Sequence, residues 1–187
     1  LFRSRNVQTV LVNDTVLAFG KPSQAISALP SDSIVIAGQK NSYVITSGGT
    51  RFVKVITGLD PKFIQIDKAL TFNSEKNDGH FSGILPLKYV KLSEDVTKQD
   101  RAFFIENGAE ECTTSSDQRL KAQRFCFNIA LSGLVYPSAS NISSLKALSK
   151  PYQVSIYTTQ EVKDYSKAGS KTADKLVLFP FAVAFDV

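Results

Sequence analysis

The chain contains no methionine and no tryptophan, and only one histidine and two cysteines among its 187 residues. Each shortage removes something. Without Met or Trp, the core is left to Phe, of which there are 13, and to Val, Ile and Leu. Phe and the β-branched residues suit pleated, half-buried surfaces, a first argument for sheet. One histidine and one cysteine pair are too few for the common Cys/His zinc sites, so no metal and no other cofactor is expected. No apolar run approaches the roughly 20 residues of a membrane-spanning helix, so no membrane span is expected; the longest are Phe179–Phe185 and Ile129–Leu131 with their neighbours. A Gly-x-Ser-x-Gly nucleophile elbow and a Walker-type phosphate loop are both missing. There is no initiator methionine at Leu1 and no visible signal peptide. The chain therefore reads as a processed product or an excised piece, after export, tag cleavage or trimming of a domain.

What is present is ordinary in bulk. The length suits one domain over residues 1–187, and a division near 73–83 has no support from a change in composition. A hydrophobic fraction of 43% with 21% charged residues is that of a globular chain able to bury a real core. The net charge of +5 reads as a solvated surface. Lys163, Lys167, Lys171 and Lys175 recur at every fourth position, but Asp164 and Asp174 interrupt them.

The most informative residues are Cys112 and Cys126, 14 positions apart on either side of a polar stretch. That spacing suits a local disulfide, which in the chain-entropy model stabilises by roughly 3 kcal/mol. A disulfide implies an oxidising compartment, so the expected location is extracytoplasmic: periplasmic, secreted or at the cell surface.

Period-two patterning dominates the rest. Val7–Val12 and Val16–Phe19 flank Asn13-Asp14-Thr15 and read as strand, turn, strand. Ile26–Leu29 fits one turn of helix. Ser33–Ala37, Ser42–Ser47 and Arg51–Thr57, separated by Gly38–Asn41 and Gly48-Gly49, read as a three-stranded meander. Phe63–Ile66 and Ala69–Phe72 read as two strands, or one bent at Asp67-Lys68. Ile84–Leu92 reads as a strand with Pro86 on an edge or at a strand start. Ser93 is expected to cap a helical stretch through Gln99, before a strand at Ala102–Ile105. Phe125–Tyr136 is the longest strand, with Phe125, Phe127, Ile129 and Leu131 on one face and Gly133 at a bulge or bend. A helix opens at Asn141-Ile142-Ser143-Ser144 and stops at Pro151. Tyr152–Tyr157 is a strand, and Thr158-Thr159-Gln160-Glu161 is a capping box for a helix to about Lys167. Lys175–Val187 returns to strand, with Phe181–Val187 as a core strand. About ten to twelve short strands and two or three short helices, without βαβ alternation, predict a mainly β fold: an antiparallel sandwich or barrel-like domain.

The candidate chemistry is thin. Asp78, His80 and Ser82 fall together in a turn-rich loop, and any hydrolase that uses histidine must use His80 as its base. Paired carboxylates drawn from Asp60, Asp67, Glu106, Glu110 and Glu111 are the other catalytic option, provided two of them face one cleft. Arg51–Lys54 and Lys88–Lys91 interleave basic and apolar residues, but amphipathic alternation with Lys outward explains both, and no nucleic-acid partner is expected. The sequons Asn13-Asp14-Thr15 and Asn141-Ile142-Ser143 are potential glycan acceptors. The expected function is therefore a non-enzymatic binding, adhesion or envelope-assembly domain whose partner is a protein or a cell-surface ligand. The alternatives are a hydrolase acting through carboxylates or the His80 loop, and a structural subunit of a viral or fimbrial assembly, which self-associates through sheet edges.

Overall fold

The structure, a computed structural model, describes residues 8–22, 30, 33–67, 69–138, 152–158 and, for the backbone alone, 178–180. In chain order the strands are β1 (Thr9–Pro22), β2 (Ile34–Gly38), β3 (Asn41–Ser47), β4 (Ile64–Ile66), β5 (Ala69–Asn73), β6 (His80–Leu92), β7 (Glu110–Glu111), β8 (Ala122–Pro137), β9 (Tyr152–Thr158) and β10 (Leu178–Pro180). Helix α1 (Gly49–Gly58) follows β3, α2 (Lys98–Glu106) follows β6, and α3 (Ser115–Arg119) precedes β8. Seven strands close into a barrel in the order β6-β5-β9-β1-β2-β3-β8, with β8 returning to β6. Of the two architectures expected, the barrel is the one formed. Its pairings are antiparallel except β5 with β9, which run parallel.

Alternation drives the closure. On β8, Phe125, Phe127, Ile129 and Leu131 are all buried, as their period of two predicts. On β6, Phe81, Leu85, Leu87 and Tyr89 meet them inside, and Tyr152, Val154 and Ile156 of β9 complete that part of the core. Each such fully buried side chain contributes about 1.5–3 kcal/mol of transfer free energy. Gly133 stands opposite the register shift between Ile45 and Ser47 of β3, and a Cβ there would collide with the Val44 carbonyl oxygen. Close approach of two backbones, rather than a bend in β8 itself, explains this glycine.

Several local expectations are corrected. The strand–turn–strand around Asn13-Asp14-Thr15 is one continuous strand, β1, whose Asn13, Asp14 and Thr15 pair with Ser155, Val154 and Gln153 of β9. The turn chemistry of Asp14 is spent on another segment. Its buried carboxylate accepts the backbone N–H groups of Thr15, Lys40 and Asn41 at 2.8, 2.9 and 3.0 Å and the Tyr43 hydroxyl at 2.7 Å, so it holds the β2–β3 hairpin in place.

The third strand of the expected meander, Arg51–Thr57, is helix α1. Phe52, Val55 and Ile56 are its buried side chains, with Leu59 just beyond, a spacing that also satisfies one helical face. The β-branched residues favour strand only weakly, and burial overrides them. Gly48, at φ 86°, opens the helix instead of closing a hairpin; a Cβ there would run into the Ala130 carbonyl oxygen.

The expected helix from Ser93 and strand at Ala102–Ile105 are also replaced. A 3-10 turn spans Ser93–Asp95, and α2 then runs from Lys98 to Glu106. Thr97 and Asp100 form the capping box, each accepting the other's backbone N–H at 3.0 Å. Pro86 follows the edge alternative and not the strand start: it lies inside β6 at a local edge. It falls between the stretch paired with β4 (Leu87–Tyr89) and the contact with β5 at Ser82, where β6 is paired on the β8 side only. Lys91 does not point outward. It shares the inner face with Tyr89, lies over the Phe63 ring at 5.2 Å and bonds Asp100 at 2.8 Å. The expected turn at Ile26–Leu29, the helices from Asn141 and Thr159, and the strand Phe181–Val187 lie outside the described residues.

Candidate functional site

The site begins where β6 starts. Asn77 (φ 48°) and Gly79 (φ 88°) adopt left-handed backbone and fold the connection from β5 back on itself. Asp78 is thereby set against His80: its Oδ1 accepts the His80 backbone N–H at 3.1 Å and lies 3.2 Å from the ring Nδ1. Burial pushes the Asp78 carboxyl up, but the His80 backbone N–H and the charge and ring of His80 outweigh it, so its pKa lies below the usual range. His80 itself is largely exposed.

Ser82 follows two residues later on the same outer face of β6. The ladders place Ser132 of β8 on one side of it and Asn73 of β5 on the other. These residues, with Thr46, Glu75, Lys76, Asp78 and His80, line a pocket of about 440 Å³. The three residues singled out in the sequence therefore share one pocket. No hydrogen bond joins Ser82 to His80 among the described residues.

A second pocket, of about 540 Å³, opens across β1 and β9 beside the β2–β3 turn, between Asn13, Thr15, Lys40, Gln153 and Ser155. Asn13 of the first sequon accepts the Ser155 hydroxyl at 2.7 Å; Asn141 of the second is outside the described residues. Thr15 and Gln153 are neighbours at 3.3 Å.

Neither of these two pockets is lined by any of the five acidic candidates. Asp60 caps the 3-10 turn at Lys62, Glu106 pairs with Lys54 at 3.4 Å, and Glu111 accepts the Thr113 hydroxyl at 2.8 Å. Glu110 is exposed on β7, and Asp67 lies exposed between β4 and β5. Among the described residues, no group of three His, Cys, Asp or Glu side chains is placed to hold a metal ion, and no helix is long and apolar enough to cross a membrane.

Cys112 and Cys126 form a disulfide with Cα atoms 6.0 Å apart. It ties the end of edge strand β7 to β8, where Glu110 and Glu111 pair with Cys126 and Phe125. The enclosed loop has further ties. Arg124 grips Asp117 through two bonds at 2.9 and 3.1 Å, and Asp117 closes a capping box with Thr114. The Arg124 guanidinium, followed by the Thr114 N–H, holds the Asp117 carboxyl far below the usual carboxylate range.

Asn73, Ser132, Gln153 and Ser155 were not marked as site residues by their local sequence. Each is one polar member of an alternating strand, and only strand pairing gathers them.

No curated protein and no solved structure was found to match the chain. The model of the YidX N-terminal domain matches residues 3–160, and the chain belongs to that family.

Proposed function

We propose that the domain is a non-enzymatic binding module that works outside the cytoplasm. The observation that carries this reading is the distribution of its polar groups. The barrel interior is filled with side chains, the five candidate acids lie outside both pockets, and the convergent polar groups sit in open pockets on the outer wall. Such pockets suit recognition, whereas acid–base chemistry is served by a water-excluding cleft that aligns its groups. The disulfide supports an oxidising compartment.

Two measurements test it. Alkylation of the protein in its native cell, followed by intact mass, is expected to leave both cysteines unmodified until reductant is added; two modified thiols would place the chain in a reducing compartment. A panel of chromogenic esters, phosphate monoesters and glycosides is expected to show no turnover.

A hydrolase reading has one observation in its favour, the Asp78–His80 contact with Ser82 in the same pocket. It supplies an orienting acid and a base, and it lacks the base–nucleophile bond. Turnover in the panel that disappears in His80→Ala would establish it over the binding reading.

A further inference from the structure

Across part of the outer wall formed by β8, β6, β5, β9 and β1 run three rows of side chains without formal charge, in a chain with 22 basic and 17 acidic residues. One row across it reads Ser132, Ser82, Asn73, Tyr157, Val10, each residue directly beside the next through the ladders. A second row reads Thr71, Ser155, Asn13, and a third Ala69, Gln153, Thr15. These side chains point outward and are exposed or half-exposed, alternating with buried neighbours such as Phe72, Val154 and Ile156. Five strands span about 20 Å at the usual inter-strand spacing.

The two pockets belong to this wall. The one holding Asn73, Ser82 and Ser132 opens at one end of the first row, and the one holding Thr15 and Gln153 opens on the third. Glu75, Lys76, Asp78 and His80 are among the residues that line the first pocket, and Asp14 and Lys40 among those that line the second, so formal charge stands at the two ends and the rows between them carry none.

The chemistry selects the partner. An ionic ligand laid on this wall loses hydration and finds no countercharge along the rows. A neutral, hydroxyl-rich ligand exchanges its water contacts for amides and hydroxyls, which both donate and accept. Val10, 49% exposed, beside Tyr157, and Ile84, 61% exposed on β6, offer apolar ground for the C–H faces of sugar rings. We propose that the wall docks a neutral glycan, with the sugar chain crossing β6, β5, β9 and β1 from one pocket toward the other. This rests on the binding reading above and names its ligand class.

The test is titration of the whole chain with cellohexaose, maltohexaose, chitohexaose and dextran, against a sulfated heparin oligosaccharide and a neutral Ser/Gly/Thr peptide, by calorimetry and amide NMR shifts. At least one neutral glycan is expected to bind and to shift the Thr71, Asn73, Ser82, Gln153 and Ser155 resonances. Ser155→Glu and, separately, Gln153→Lys are expected to weaken it at least tenfold with unchanged thermal unfolding, while Lys54→Ala on α1 leaves it unchanged. Binding that is confined to the sulfated glycan, or to the peptide, overturns the proposal, as does silence from every probe or neutral-glycan binding unaffected by both charge insertions. None of those failures alters the thiol and turnover results on which the broader reading stands.

Discussion

The paired ribbon of β6 and β8 runs unbroken from His80 opposite Leu134 to Leu92 opposite Ala122, yet its two ends are made of different materials. At the Leu92 end, Phe104 of α2 stacks on Phe125 with centroids 4.0 Å apart and meets Tyr89 and Phe127 edge-on. Around that cluster lie the Lys91–Asp100 and Arg124–Asp117 pairs and the disulfide. At the His80 end, the outer face shows Ser82, Ile84, Ala130 and Ser132, with a pocket and, among the described residues, no ion pair except the exposed His80–Asp78 contact. The same alternating strand pair thus holds a closed aromatic lid at one end and an open polar wall at the other. Phe104 of α2 packs on the ribbon at the Leu92 end, so more of the stability is expected there. Nothing among the described residues covers the His80 end, which is where the proposed binding surface lies.

Substitutions sharpen that contrast. The largest effect is expected for Phe104→Ala, which empties the stacked cluster and costs about 3–5 kcal/mol in denaturant unfolding. An effect below 1 kcal/mol would break the claim that the lid end carries the stability. Next, removal of both cysteines as Cys112→Ser/Cys126→Ser is expected to cost about 2–3 kcal/mol, at or below the loop-entropy value, because the Arg124–Asp117 grip inside the loop and the backbone bond from the Cys112 N–H to the Arg124 carbonyl at its mouth remain. A double variant that does not fold at all would show the grip to be dependent on the disulfide.

Acid provides the third test. The pKa values of Asp117 and Asp100 are both depressed in the folded state, Asp117 by Arg124 and Asp100 against its own burial by Lys91. Their stabilisation is complete above the unfolded carboxylate pKa and drains away as pH falls through the folded values. Unfolding free energy is therefore expected to fall steadily below pH of about 4, with a shallower slope in Arg124→Gln. A slope unchanged in that variant would remove Asp117 from the account. The smallest effect is expected at the open end: Ser82→Ala and His80→Ala should change stability by no more than about 0.5 kcal/mol. A loss of 2 kcal/mol or more at either position would mean that the wall is structural.

Much of the barrel was legible in advance, and the misses share a cause. β8 and β9 were readable because a long strict alternation admits only one period. Phe52, Val53, Val55 and Ile56 form a shorter mixed run that fits both periods, and in the fold Phe52, Val55 and Ile56 are buried together on one helical face, with Phe52 against Phe19. Ala102–Ile105 misled in the same way, since four apolar residues in a row have no period at all. Of the site, the grouping of Asp78, His80 and Ser82 was visible because those residues are close in sequence. The wall was not, because Asn73, Ser132 and Ser155 come from three strands far apart in the chain.

Local order alone determined which stretches alternate, that Cys112 and Cys126 are close enough to join, and that turn residues crowd before β6. Tertiary structure decided what those pieces face. Asp14 had every mark of a turn residue and became a buried acceptor for a hairpin 26 residues on. Lys91 had every mark of a surface cation and became the inward partner of Asp100. A side chain's intrinsic preference is worth about 1 kcal/mol, and several hydrogen bonds formed together at a buried position outweigh it.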